Sequence, residues 1–205
     1  MTGVQTCALP ILEFKDCKLI VLGDSNVGKT TLIHNFVNDE FRADFKSTLG
    51  TDISSMSFYL DQDKCINLTI WDTAGTERFN CVMKQIFRGT QACILVADLT
   101  SSESLNGLQK WYDLLEDNVE DSQDLPIVIM LNKVDLVDQR VIDEKEIMAV
   151  ANKLNCKYFE VSAKTSEGVH EGLLEIMKKF VQCCKVAQVP LYKATPEVRD
   201  RKSVV

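Results

Sequence analysis

Gly23 to Thr30, GDSNVGKT, fits the pattern G-x-x-x-x-G-K-[S/T], and it stands between a short apolar run, KLIVL, and an amphipathic one, TTLIHNF. A strand that turns through two glycines into a helix constrains much of the remaining chain. The glycines let the backbone curl so that successive N–H groups face one point, the helix N-terminus adds positive potential, and Lys29 supplies a full charge. Such a loop cradles phosphates. It assigns Gly23, Asp24, Ser25, Asn26, Val27, Gly28, Lys29, Thr30 and Thr31 to a nucleoside triphosphate, with Lys29 at the β and γ oxygens and the Thr30 hydroxyl offered to Mg²⁺.

The rest of the pattern agrees with that loop. Apolar runs of strand length (CKLIVLG, ISSMSFYL, INLTIWD, ACILVADL, PIVIMLN, KYFEVSA) alternate with runs of helical spacing such as SESLNGLQKWYDLLEDNV and EGVHEGLLEIMKKFVQCC. This order predicts an α/β fold: a six-stranded, mostly parallel sheet with about five helices covering both faces. ISSMSFYL and INLTIWD, separated by DQDKC, read as a hairpin, so one edge strand is expected to be antiparallel. With 205 residues, 45% of them hydrophobic, the chain is the size of one domain able to bury roughly two-thirds of its unfolded surface. A formal net charge of −7 and the lack of a basic stripe argue against nucleic acid as the partner. The eight cysteines follow no metal-ligand spacing, and several sit in apolar runs, which fits a reducing compartment. No apolar stretch reaches the roughly 18 residues of a membrane span.

Two further motifs lie at strand ends. Asn132, Lys133 and Asp135, in NKVD, follow PIVIML, where doubly wound folds place ligands. A carboxylate there accepts from both N1–H and the exocyclic amine of guanine, a pair that adenine does not offer, so Asp135 chooses the base. Asp72, in DTAG, closes the strand INLTIW and can reach Mg²⁺ through water, while Gly75 has no side chain to keep its N–H from a γ-phosphate.

In the order GDS…GKT, FRADFKST, IWDTAG with ERF, FRGT, LVADLT, NKVD and SAK, the chain resembles a Ras-superfamily small GTPase, a G-domain of the P-loop NTPases, and most closely the Rab branch. The resemblance covers nearly the whole chain. It implies that Thr48 completes the Mg²⁺ shell and meets the γ-phosphate, so that Thr30, Thr48 and Asp72 form the metal site. It also implies that Ser162, Ala163 and Lys164 line the base, with the Ala163 N–H toward guanine O6, and that the Phe41 ring packs edge-on against the guanine. Catalysis would rest on Lys29, Thr48, Gly75 and the residue after it. Here the chain departs from the family: Thr76 stands where DTAGQE has glutamine. That glutamine orients the attacking water in a reaction whose catalysis is mostly positioning and charge, and threonine is too short to do so. Asn26 replaces a usual glycine, and Ile53 and Ile86 replace the usual companions of Trp71 on the surface that effectors read.

The implied function is a slow GTPase switch that binds GTP or GDP with Mg²⁺ and recruits effectors, probed against a rival reading as a pseudo-GTPase that binds without useful turnover. A P-loop ATPase or nucleotide kinase would leave NKVD and SAK without a task. An exchange factor, a GTPase-activating protein, vesicle traffic, a prenyl anchor, and residence in the cytoplasm at the cytoplasmic face of endomembranes are implied by the resemblance alone. Residues 12–184 are expected to form the G-domain and 185–199 a flexible hypervariable tail cut short. Residues 1–11 (MTGVQTCALPI) and 200–205 (DRKSVV) back-translate into sequencing-library adapters and are expected to be artefact. Cys183 and Cys184 continue the last helical run and read as core-edge cysteines rather than a lipid site.

Overall fold

The structure, a computed structural model, describes residues 13–38, 48, 50–60, 64–75, 85–119, 124–186 and 192–193. Phe41, Thr76 and the two terminal segments read as adapter sequence lie outside the described residues. Strand β1 (Glu13–Leu22) leads through the glycine loop into helix α1 (Lys29–Asn38). The hairpin β2 (Thr51–Tyr59) and β3 (Lys64–Thr73) follows, then β4 (Ala92–Asp98), α2 (Ser102–Asn118), β5 (Ile127–Asn132), α3 (Glu144–Lys153), β6 (Lys157–Glu160) and α4 (Val169–Val186). Further helical residues lie at 85–87, at Asp124 and in a 3-10 turn at Val137–Gln139.

The six long strands lie in the order β2-β3-β1-β4-β5-β6. Neighbours are parallel except β2 and β3, whose register runs from Thr51 opposite Thr73 to Tyr59 opposite Cys65. The expected mixed sheet with one antiparallel edge strand is therefore what forms. A seventh strand, β7 (Tyr192–Lys193), pairs antiparallel with Glu13 and Phe14. The reason is geometric: β4 pairs with β1 only from Leu19 onward, so the first half of β1 has an open edge on that side. Two residues of the segment read as tail take it.

Strand burial follows position in the sheet. Every residue of β4 and of β5 is buried, as continuous apolar runs covered on both faces require. On β1, Leu19 and Val21 face a core completed by α1 and α4, while Ile20 and Leu22 face one completed by α2 and α3. Cys184 lies in the first core at 5% exposure, and the Cys183 thiol donates to the Asp124 carbonyl. Helix α3 begins with a capping box in which Asp143 accepts from the Glu146 N–H and Glu146 returns the bond to the Asp143 N–H. From β1 the chain goes to β3 on one side and to β4, β5 and β6 on the other, so the strand order reverses at β1. In such sheets the crevice at the carboxyl ends of the strands beside that reversal holds the ligand.

Candidate nucleotide site

The glycine loop leaves β1 at Leu22. Gly23 is held at φ 149, and a Cβ there would meet the Val96 carbonyl at 2.2 Å; Gly28 is at φ 94, and its Cβ would meet Asn132 Nδ2 at 2.3 Å. Only glycine passes both points. Asn26 sits in the left-handed region at φ 65, which asparagine tolerates better than other side-chain-bearing residues. The backbone turn that a glycine would make is thus kept despite the substitution. Asn26→Gly should shift unfolding free energy by less than ~1 kcal/mol, whereas Asn26→Val should cost about 1–2 kcal/mol; denaturant midpoints of the two variants check this, and equal midpoints would contradict the assignment.

Lys29 heads α1 with 5% of its surface exposed, and its Nζ donates to the Gly23 and Asp24 carbonyls at 2.8 Å each. Burial lowers its pKa to about 8, against the opposing pull of the Asp72 and Asp24 carboxylates. A poorly solvated ammonium with two neutral partners is well placed for an anion.

Next to it three oxygen-bearing side chains converge. Thr30 Oγ1 donates to Asp72 Oδ2 at 2.5 Å and lies 2.7 Å from Thr48 Oγ1, which is itself 3.4 Å from Asp72 Oδ2. The second Asp72 oxygen is buried and has no hydrogen-bond partner among the described residues. Burial raises the Asp72 pKa, opposed by the Thr30 bond, the Lys29 charge and the Thr48 bond. Two hydroxyls and a carboxylate with an unanswered oxygen make a hard oxygen donor set, which fits Mg²⁺. Gly75 lies over the loop at φ 64, where a Cβ would be 2.5 Å from Lys29 Nζ and 2.8 Å from Ser25 N, and its carbonyl accepts from the Ser25 hydroxyl at 3.1 Å.

The base-side residues gather around Asn132. Its Nδ2 donates to the Val27 carbonyl at 2.9 Å, and its Oδ1 accepts from Lys133 N at 2.8 Å and from Ala163 N at 3.0 Å. One amide therefore ties the phosphate loop, NKVD and SAK together. The Ser162 hydroxyl donates to Asp135 Oδ1 at 2.6 Å and accepts from Lys164 N and Thr165 N. Lys133, at φ 69, places Nζ 2.6 Å from Asp98 Oδ2, while Asp98 Oδ1 accepts from the Thr100 amide and hydroxyl. Lys164 is exposed. The structure places Lys29, Thr30, Thr48, Asp72 and Gly75 around the phosphate loop, and Asn132 ties that loop to Lys133, Asp135, Ser162 and Ala163. It adds Asp98 and Thr100, whose only trace in the sequence is the run LVADLT.

On the neighbouring face, Trp71 is overlaid by Lys18 Nζ 3.9 Å from its ring centre, and that ammonium also donates to the Ile86 and Arg88 carbonyls. Ile53, opposite Trp71 in the β2–β3 register, is exposed, whereas Ile86 is buried. His170 packs against Phe58 with ring centres 5.7 Å apart and planes tilted by 35°.

The fold and site define a guanine-nucleotide-binding P-loop domain of the Ras type. A family model described as the Ras family matches residues 18–182. The chain is 36% identical over 169 residues to the Ypt/Rab-type GTPase YPT7 of Saccharomyces cerevisiae, covering 80% of this chain and 81% of the relative. It is 40% identical over 166 residues to the Ras-related protein RABG3f of Arabidopsis thaliana, covering 78% and 80%. Against the Ras-related protein Rab-7a of Dictyostelium discoideum it is 35% identical over 168 residues, covering 80% and 82%. The chain belongs to the Rab family of Ras-superfamily small GTPases.

Proposed function

We propose that the chain is a Rab7-type switch in vesicle traffic that binds GTP and GDP with Mg²⁺ and hydrolyses GTP slowly because Thr76 stands where the family has glutamine. The observation that carries the nucleotide reading is the convergence of Thr30, Thr48 and Asp72 beside Lys29, with Asn132 locking the base loops to the phosphate loop. Mg²⁺, when bound, neutralises charge on the phosphate oxygens. The chain's own groups do the rest. Lys29 supplies charge at the β and γ oxygens, the Gly75 N–H and the Thr48 backbone report the γ-phosphate, Asp135 reads guanine, and Phe41, Ser162, Ala163 and Lys164 enclose the base.

With the terminal phosphate present, Thr48 and Gly75 hold their loops on the phosphates; without it the loops relax, and partners sense the difference. Effectors, an exchange factor and a GTPase-activating protein belong to this cycle, and the likeness to Rab proteins supports a prenyl anchor on the cytoplasmic face of endomembranes. The activating protein can supply in trans the water-orienting group that Thr76 lacks. The second reading, a pseudo-GTPase, rests on the same residue. Single-turnover hydrolysis with phosphate release as readout separates them. Thr76→Gln should speed hydrolysis by about 10- to 100-fold, the scale of a misplaced reactant. Equal rates in the two proteins would mean that the water is positioned by another group. A wild-type rate no greater than that of GTP in buffer would favour the pseudo-GTPase.

A further inference from the structure

Helix α2 lies outside the nucleotide motifs, yet it donates to one carboxylate oxygen of the second residue of the phosphate loop and leaves room for the other. Trp111 Nε1 donates to Asp24 Oδ1 at 2.8 Å, linking positions 87 residues apart. One turn earlier on the same helix, a Cβ on Gly107 would stand 2.5 Å from Asp24 Oδ2 and 3.2 Å from its carboxyl carbon. Residues four apart share a helix face, so Gly107 and Trp111 form one receptor: a gap for one oxygen and a donor for the other.

Glycine is a poor helix former, and Gly107 sits inside a helix of 17 residues. Its backbone has ordinary helical geometry, with no positive φ to require glycine. Close approach of Asp24 is the reason that remains on the structure. The indole ring of Trp111 is packed into the core shared with Leu105, Leu108 and Leu115, so its N–H points from a fixed base.

The held residue matters because of what its main chain does. The Asp24 carbonyl accepts from Lys29 Nζ at 2.8 Å, and the Asp24 carbonyl carbon lies 2.8 Å from where a Gly75 Cβ would be. A shift of Asp24 therefore moves both the support of the phosphate lysine and the seat of the DTAG loop.

We propose that Gly107 and Trp111 are positioning residues of the nucleotide site, acting through Asp24 to hold the phosphate loop in its anion-binding shape. The proposal rests on the guanine-nucleotide reading above. Its mark is selective loss of affinity for the β-phosphate. A residue that merely supports the core would weaken all nucleotides alike.

The test uses the full chain and compares release of a fluorescent GDP with competition by GMP, which lacks the β-phosphate. Trp111→Phe and Asp24→Ala should each speed GDP release about tenfold, the equivalent of one hydrogen bond, with GMP affinity within about twofold of wild type. Gly107→Ala should do at least as much. Asp24→Asn keeps an acceptor for Trp111 and should release GDP more slowly than Asp24→Ala. The double variant of Asp24→Ala and Trp111→Phe should release GDP no faster than the worse single variant. Should Trp111→Phe fail to fold by circular dichroism, the pair Asp24→Ala and Asp24→Asn decides alone, because neither touches the core. Wild-type release from folded Trp111→Phe or from Asp24→Ala, or equal weakening of GMP and GDP, would overturn the proposal. A wild-type chain that binds neither GDP nor GMP would instead sink the nucleotide reading on which it stands.

Discussion

Asp135→Asn should lower affinity for GDP by about 10⁴-fold, the scale on which a site built to receive hydrogen bonds rejects a ligand that no longer matches. The Ser162 hydroxyl donates to Asp135 Oδ1 at 2.6 Å, and an asparagine would turn its carbonyl oxygen to that donor. Its NH₂ would then occupy the other carboxylate position, donor against the donor groups of guanine N1–H and N2. Two attractive bonds become one clash of like groups, and the base loses its reader. Xanthine carries an oxygen at C2 in place of the amine, so the same amide suits it. Competition binding with GDP and xanthosine diphosphate measures both changes. The variant should prefer the xanthine nucleotide, and GDP affinity within about threefold of wild type would remove Asp135 from the base site.

The residues of this site differ in how far they could be read from the chain, and the difference is one of range. The phosphate loop is local: glycine positions, Lys29 and Thr30 fall within eight residues, and each has a backbone or charge reason to be there. The sheet was legible for a similar reason, since the fully buried runs of β4 and β5 are apolar up to their last residues, Asp98 and Asn132, and the hairpin is short. The role of Asn132 was only half legible. NKVD marks it as a site residue, but its partners Val27 and Ala163 lie 105 and 31 positions away, and no spacing rule connects an amide to a distant carbonyl. The bond from Trp111 to Asp24 is of the same kind: a tryptophan on an apolar helix face reads as core, and only the packed structure shows where its N–H goes. Pairing of Tyr192–Lys193 with β1 depends on an edge that exists only because β4 begins its pairing late.

Asn132 is where these distant links meet, and Asn132→Ala should be strongly destabilising. The side chain is 2% exposed, with its donor on the Val27 carbonyl and its acceptor shared by two backbone amides. Truncation removes all three bonds. The Val27 carbonyl and the Ala163 N–H would be left in a space too enclosed for easy rehydration, since the amide stands against Gly28 with no room for a Cβ. Each stranded group costs about 1–3 kcal/mol, so a total near 3–5 kcal/mol is expected. Against the usual 5–15 kcal/mol of a folded domain that is a large fraction, worth about 10 °C in melting temperature for a chain of this size. Nucleotide release should quicken at the same time, because the phosphate loop, NKVD and SAK lose their common tie. Asn132→Asp separates the contributions: it keeps the acceptor for Lys133 and Ala163 but sets a buried carboxylate oxygen against the Val27 carbonyl, and it should be no more stable than the alanine variant. Thermal melting with and without excess GDP checks both claims. A melting temperature within about 2 °C of wild type for Asn132→Ala would show that the three loops hold together without it.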